Sequence, residues 1–250
     1  MKLFDNFFES YGAFQMLTRA AHILAGITWI GLLYFFNFVQ TPAYAELSDG
    51  ARSEALRKLT YRALWWFRYA ALMTFLFGIV MVGIYSNTEA GQPDYLSGQR
   101  GTAILTGMLF GTTMLLNVWG IIWRNQKIVI GNAEAVANGQ PANPAAPAAA
   151  KAGARASRCN TLFSIPMLFF MVFAAHGASF FGVEVKGTLV YWLIVLVLWA
   201  FIEASALGFI GGMDSPFNKQ AFDKHANTIW AGFILLGVIY FVGWEALLAS

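Results

Sequence analysis

His22 and His176 are two of only three histidines in the 250 residues, and each stands in a long, nearly uncharged stretch. A neutral imidazole in such a place is a metal ligand or a helix-to-helix hydrogen bonder. Read as helices, the stretches 17–39 and 162–181 put His22 five residues from one end and His176 five from the other. Both then lie ~7 Å below the same surface by helical rise. Two histidines on different helices at matched depth are what the two axial faces of a b-type haem iron require. Gly26 and Gly177 clear bulk beside the rings, and Arg19, three residues before His22, shares its face and could meet a propionate. The alternative is that each ring bonds a neighbouring helix. The third histidine, in Asp223-Lys224-His225, reads as a solvated interfacial group.

Glu203 is the second chemical signal, because no other charge falls between Leu198 and Gly208. A carboxylate roughly 12 Å from the helix end by rise must be protonated, paired with a cation, or reached by water. Arg68 enters from the same side and is the expected partner. Asn37 and Asn117 sit at similar depth and would complete a polar cluster, serving either as a proton path or substrate site or as an interhelical clamp. Met167 and Met171, four apart, read as packing rather than copper ligands. The single Cys159 excludes an intramolecular disulfide, a multi-cysteine zinc site and a Cys-x-x-Cys-His haem attachment within the 250 residues.

The elements that must hold these groups follow from composition. The chain is 58% hydrophobic and 12% charged, with a mean hydropathy of +0.57, where soluble domains are about one quarter charged. Six nearly uncharged stretches (17–39, 64–85, 102–123, 162–181, 188–211 and 228–247) have the roughly 20-residue length that crosses ~30 Å of hydrocarbon. The reading is an all-α, polytopic membrane bundle of about six transmembrane helices forming a single domain. Tryptophans near the span ends form an interfacial belt. Residues 48–62 and 126–138 read as polar surface helices, 140–157 as a flexible linker, and the segment before Leu17, with Phe4, Phe7, Phe8, Tyr11 and Phe14, as an amphipathic surface element. Pro166 should kink the fourth span and free the Leu162 carbonyl.

Twelve basic residues, Arg68 among them, fall on the side of the loops joining spans one-two, three-four and five-six. Only Lys2, Arg19, Arg100 and Lys186 fall on the other. The positive-inside rule makes the first side cytoplasmic, so both termini and the outer ends of the spans are expected in the periplasm and the 140–157 linker in the cytoplasm. The start lacks a basic-then-apolar design, so no cleavable signal peptide is expected. The net charge of +3 is the mark of this asymmetry, and no nucleic-acid partner is expected.

Three blocks in order carry a resemblance. The first runs over 22–42, with His22, Gly26, Trp29, Gly31, Tyr34, Asn37, Gln40 and Pro42. The second is 117–127, from Asn117 and Trp119-Gly120 to Arg124-Asn125-Gln126-Lys127. The third joins 157–161 to 164–171 and ends at His176. Together they resemble the membrane domain of the bacterial membrane-bound urate oxidase (urate hydroxylase) family. The opening helix is also similar, more weakly, to membrane-type protoporphyrinogen oxidases that bind haem. The resemblance implies a multi-pass protein of the bacterial cytoplasmic membrane with urate as substrate class. The family's usual cytochrome c domain is missing from these 250 residues, so the electron acceptor is expected to be a separate periplasmic cytochrome c.

Two functions follow. One is a membrane oxidoreductase with haem b held by His22 and His176, with Arg68, Asn37, Asn117 and Glu203 as the substrate and proton-handling residues. The other is a non-catalytic or electron-relaying accessory subunit of a larger respiratory or photosynthetic complex. A transporter ranks below both, because paired broken half-helices are not evident.

Overall fold

A computed structural model describes residues 4, 7–8, 12–88, 96, 98–177, 181 and 187–248. Among them there is no strand, and six helices are long and apolar enough to cross a membrane. These are α1 (Ala13–Glu46), α2 (Asp49–Ser86), α3 (Gln99–Ala137), α4 (Ala146–His176), α5 (Thr188–Ala206) and α7 (His225–Leu248). A short helix, α6 (Pro216–Phe222), lies between the last two. Tyr11 and the residues between Gly177 and Phe181 fall outside the described set.

The first four spanning helices are longer than a bilayer needs. The 39 residues of α3 extend about 58 Å by helical rise, against ~30 Å of hydrocarbon. The polar segments at 48–62 and 126–138 are therefore not separate surface helices but continuous extensions of α2 and α3. They meet beyond the apolar zone, where Ser53 donates to the carbonyl of Ala133 at 3.5 Å and Arg57 pairs with Glu134 at 3.4 Å. The basic loops thus gather at one end of the bundle.

The flexible linker expected over 140–157 is corrected in the same way. Helix begins at Ala146, with Pro147 in its first turn, where a missing N–H costs nothing. The alanines that follow are the strongest helix formers. The connection before it is pinned, with Asn132 Oδ1 accepting from the Asn143 amide at 2.6 Å and Asn143 Oδ1 from that of Ala145 at 2.9 Å. Ala149, Arg155 and Ala156 are buried. Composition alone misled here, because Pro and Ala at a helix start mimic a linker.

Packing is closest between α3 and α4 and between α1 and α2, with α7 laid along α4. Met167 and Met171 pack against Gly107 and Gly111 of α3, as expected for gap-filling methionines. Pro166 removes one helical donor, and the Leu162 carbonyl lies against Gly232 of α7. A Cβ added at Gly232 would come within 2.8 Å of that oxygen and 2.6 Å of Ile165 Cδ1. The backbone widens to π-helical turns at Phe35–Gln40, Leu56–Thr60, Val118–Ile122 and Val238–Leu248. Such turns recur at functional sites; the first of the four holds Asn37 and the third follows Asn117.

Candidate functional site

The polar residues expected to form one cluster divide into three places. Asn117 of α3 donates from Nδ2 to Asn160 Oδ1 at 3.0 Å and to Glu203 Oε2 at 3.2 Å. Cys159 Sγ donates to the same carboxylate oxygen at 3.3 Å, and Asn160 Nδ2 donates to the Met114 carbonyl at 2.9 Å. Cys159 and Asn160 are fully buried. The carboxylate of α5 is therefore held by neutral donors of α3 and α4 and not by Arg68. The Arg68–Glu203 pair expected from the sequence is not made, since Arg68 is packed among aromatic rings instead. Its guanidinium lies 3.8 Å from the Trp123 ring centroid, 5.1 Å from Tyr69 and 5.6 Å from Trp119.

Asn37 belongs to the second place, a cleft of about 370 Å³ at the basic end of the bundle. That volume is within the roughly 300–1,000 Å³ of small-molecule sites. Asn37 Nδ2 donates to Ser157 Oγ and to the Leu33 carbonyl, both at 2.8 Å. Gln40, Gln126 and Thr60 supply further polar groups, and Phe36, Leu64, Ile122 and Phe222 the apolar wall. Lys151, Arg155 and Arg158 line one side, spaced i, i+4, i+7 along α4 and so on one helical face. Opposite them stand only two carboxylates, Asp214 and Asp223.

Each cation is fixed differently. Lys151 bonds both carboxylate oxygens of Asp214, at 2.5 and 2.6 Å, and that bond holds the Asp214 carboxyl below its ordinary range. Arg155, 7% exposed, bonds Asp223 at 2.6 Å and the Asn218 carbonyl at 2.9 Å. Arg158 donates to the Phe222 carbonyl at 3.1 Å and has no carboxylate bonded to it. Three cations against two carboxylates leave the cleft with one excess positive charge, focused by its partly apolar wall. Asn218 anchors α6 over this region by donating to the carbonyls of Ser205 (2.6 Å) and Gly212 (3.0 Å). Lys151 and Arg155 were missed from the sequence because 140–157 was read as linker, and Arg158 was counted only in the charge asymmetry and the third block. Their three-and-four spacing was the available signal.

The third place surrounds His22. Its Nδ1 lies 2.7 Å from the Thr74 carbonyl. A carbonyl only accepts, so Nδ1 carries the proton and Nε2 keeps a free lone pair, as an axial ligand needs. Gly78 of α2 gives the ring room, since a Cβ there would stand 3.2 Å from His22 Cε1. Arg19 is bonded to the Tyr85 hydroxyl, and Arg100 stacks on Tyr85 while donating to the Ala174 carbonyl at 3.1 Å. His176 is the last residue of α4 and is exposed. The matched depth expected of the two histidines is not kept: α4 ends at His176 rather than near Phe181, whereas His22 lies nine residues inside α1. The environment of His22 fits one haem ligand. Among the described residues no group of three or more His, Cys, Asp or Glu is placed to hold a metal ion. His225 is exposed and its ring lies 6.0 Å from that of Phe38.

Residues 90–207 match the family described as urate oxidase N-terminal. The match contains the 117–127 and 157–176 blocks and runs through α5, while the 22–42 block lies before it. No similar curated protein and no similar solved structure was found.

Proposed function

From a chain whose residues 90–207 match the urate oxidase N-terminal family, we propose the membrane part of an oxidoreductase that takes two electrons from urate. The observation that carries this reading is the cleft at the basic end, with three cations against two carboxylates and the amides of Asn37, Gln40 and Gln126. Urate at neutral pH is a flat monoanion, which asks for one net positive charge and amide-type donors around an apolar slot. Arg158 takes the role that the sequence suggested for Arg68. Glu203, held by Asn117 and Cys159, does not line this cleft and takes the clamp role between α3, α4 and α5 rather than that of proton acceptor.

Haem b would be held through Nε2 of His22 and would supply one-electron transfer. Thr74 fixes the tautomer and Gly78 the ring position. Arg19, bonded to Tyr85, is within one helical turn of His22 and is the candidate cation for a propionate. A separate periplasmic cytochrome c would accept the electrons, two cytochromes reduced per urate. The basic end would be cytoplasmic in the bacterial inner membrane, so substrate enters inside and electrons leave outside.

The test supplies urate and oxidised cytochrome c to membranes containing the chain. Cytochrome reduction that is lost in Arg158→Gln and His22→Ala is expected. A C-terminal reporter active only in the cytoplasm should stay silent. Wild-type membranes that neither bind urate nor reduce cytochrome, in a protein that purifies at fixed ratio with a larger complex, would replace this reading with the accessory-subunit one.

A further inference from the structure

On a side of α2 and α3 that is rich in exposed aromatics, outside the residues that line the cleft, Arg68 and Lys127 share one aromatic ring. The Arg68 guanidinium lies 3.8 Å and the Lys127 ammonium 5.7 Å from the centroid of Trp123. Neither is paired with a carboxylate among the described residues. Arg68 Nε and Nη1 are buried with no hydrogen-bond acceptor, although a guanidinium in an apolar span ordinarily finds one. Two like charges facing one indole repel each other, and an anion bound beside the exposed Lys127 ammonium relieves that repulsion.

The position says where that anion comes from. Arg68 lies about 27 Å by helical rise from Ser86 at the other end of α2, which is the depth of the headgroup boundary for ~30 Å of hydrocarbon. Trp65, Trp66, Tyr61 and Tyr69 are exposed around it, as interfacial aromatics are. Beside it a groove of about 470 Å³ is lined by Arg57, Tyr61, Lys127, Ile130, Gly131 and Glu134. Glu134 answers Arg57 at 3.4 Å, which leaves Lys127 as the groove's cation for a ligand, with Arg68 adding positive charge across the Trp123 ring. We propose that the Arg68–Trp123–Lys127 site binds the phosphodiester headgroup of an anionic phospholipid, its acyl chains lying along the exposed apolar faces of α2 and α3. Basic pockets between spanning helices at such an interface take acidic lipids, each cation contributing about fivefold to affinity.

Native mass spectrometry of the full chain in detergent, titrated with phosphatidylglycerol or phosphatidylcholine, tests this. Phosphatidylglycerol should bind at least tenfold more tightly. Lys127→Gln, at an exposed position that folding tolerates, should weaken it about fivefold, and Arg68→Gln at least as much if that variant folds. Lys219→Gln, a basic residue elsewhere at the same end, should change nothing. Millimolar inorganic phosphate should not displace the lipid. Equal binding of the two lipids, an unchanged affinity in Lys127→Gln, or displacement by phosphate would each overturn the proposal.

Discussion

Asn117 Nδ2 stands 3.2 Å from Glu203 Oε2 and joins α3 to α5 through a carboxylate with no cation bonded to it. The same amide nitrogen holds Asn160 of α4, so one side chain ties three helices at the centre of the bundle. Replacing Asn117 with Ala removes both bonds and leaves polar atoms of Asn160 and Glu203 short of a partner. Leaving buried groups unsatisfied costs about 1–3 kcal/mol. Asn117→Ala should lower the unfolding midpoint, measured by heating in detergent. In the double variant with Glu203→Gln the two costs should not add. An Asn117→Ala midpoint equal to wild type would mean that the contact carries no weight.

Gly232 reports the proline in α4. Gly232→Ala must push back Ile165 or the Leu162 carbonyl, and overpacking of this kind costs about 1–3 kcal/mol. Gly237→Ala, with nothing within 4 Å of the added carbon, should be tolerated. Thermal melts of the two variants side by side check the difference.

The Lys151–Asp214 clamp gives the loop before α6 an acid limit. The Asp214 carboxyl is held below its ordinary value, first by the hydrogen bond from Lys151. A depressed carboxyl contributes stability that is present above the unfolded pKa of about 3.9. That contribution is lost as pH falls through the lower folded value. Proteolysis of the 207–216 segment should therefore rise on acidification below about pH 4. In Lys151→Met it should already be raised at pH 7, and a wild-type cleavage rate flat across that window would contradict the clamp.

The haem assignment has a spectroscopic test that does not use turnover. Reduced, haem-supplied protein should show a narrow b-type α band that is abolished or sharply altered in His22→Ala. Gly78→Ala, whose added carbon would stand 3.2 Å from His22 Cε1, should shift the band by moving the ring while leaving the protein folded. A colourless wild type would end the assignment.

The sequence and the structure part company at particular residues. The six spans were legible because twenty apolar residues in a row have few other uses, and the family blocks at 117–127 and 157–176 lie within the match at 90–207. Glu203 stood out for the same reason, as one charge in an apolar run. Its partner did not, because burial among Trp119 and Trp123 can hold an arginine as readily as a carboxylate can, and depth along a helix says nothing about the face it points to. Lys151 and Arg155 were hidden by the composition of 140–157. Proline and alanine mark a linker when solvated and a helix start when Pro147 falls in the first turn.

Equilibrium binding of urate to the purified chain is the most direct measure of the cleft. Calorimetry should detect one site, weakened at least tenfold in Arg158→Gln and less in Asn37→Ala, while Arg68→Gln, outside the cleft, leaves it unchanged. Urate binding that survives Arg158→Gln intact but is lost in Arg68→Gln would place the substrate elsewhere and contradict the account.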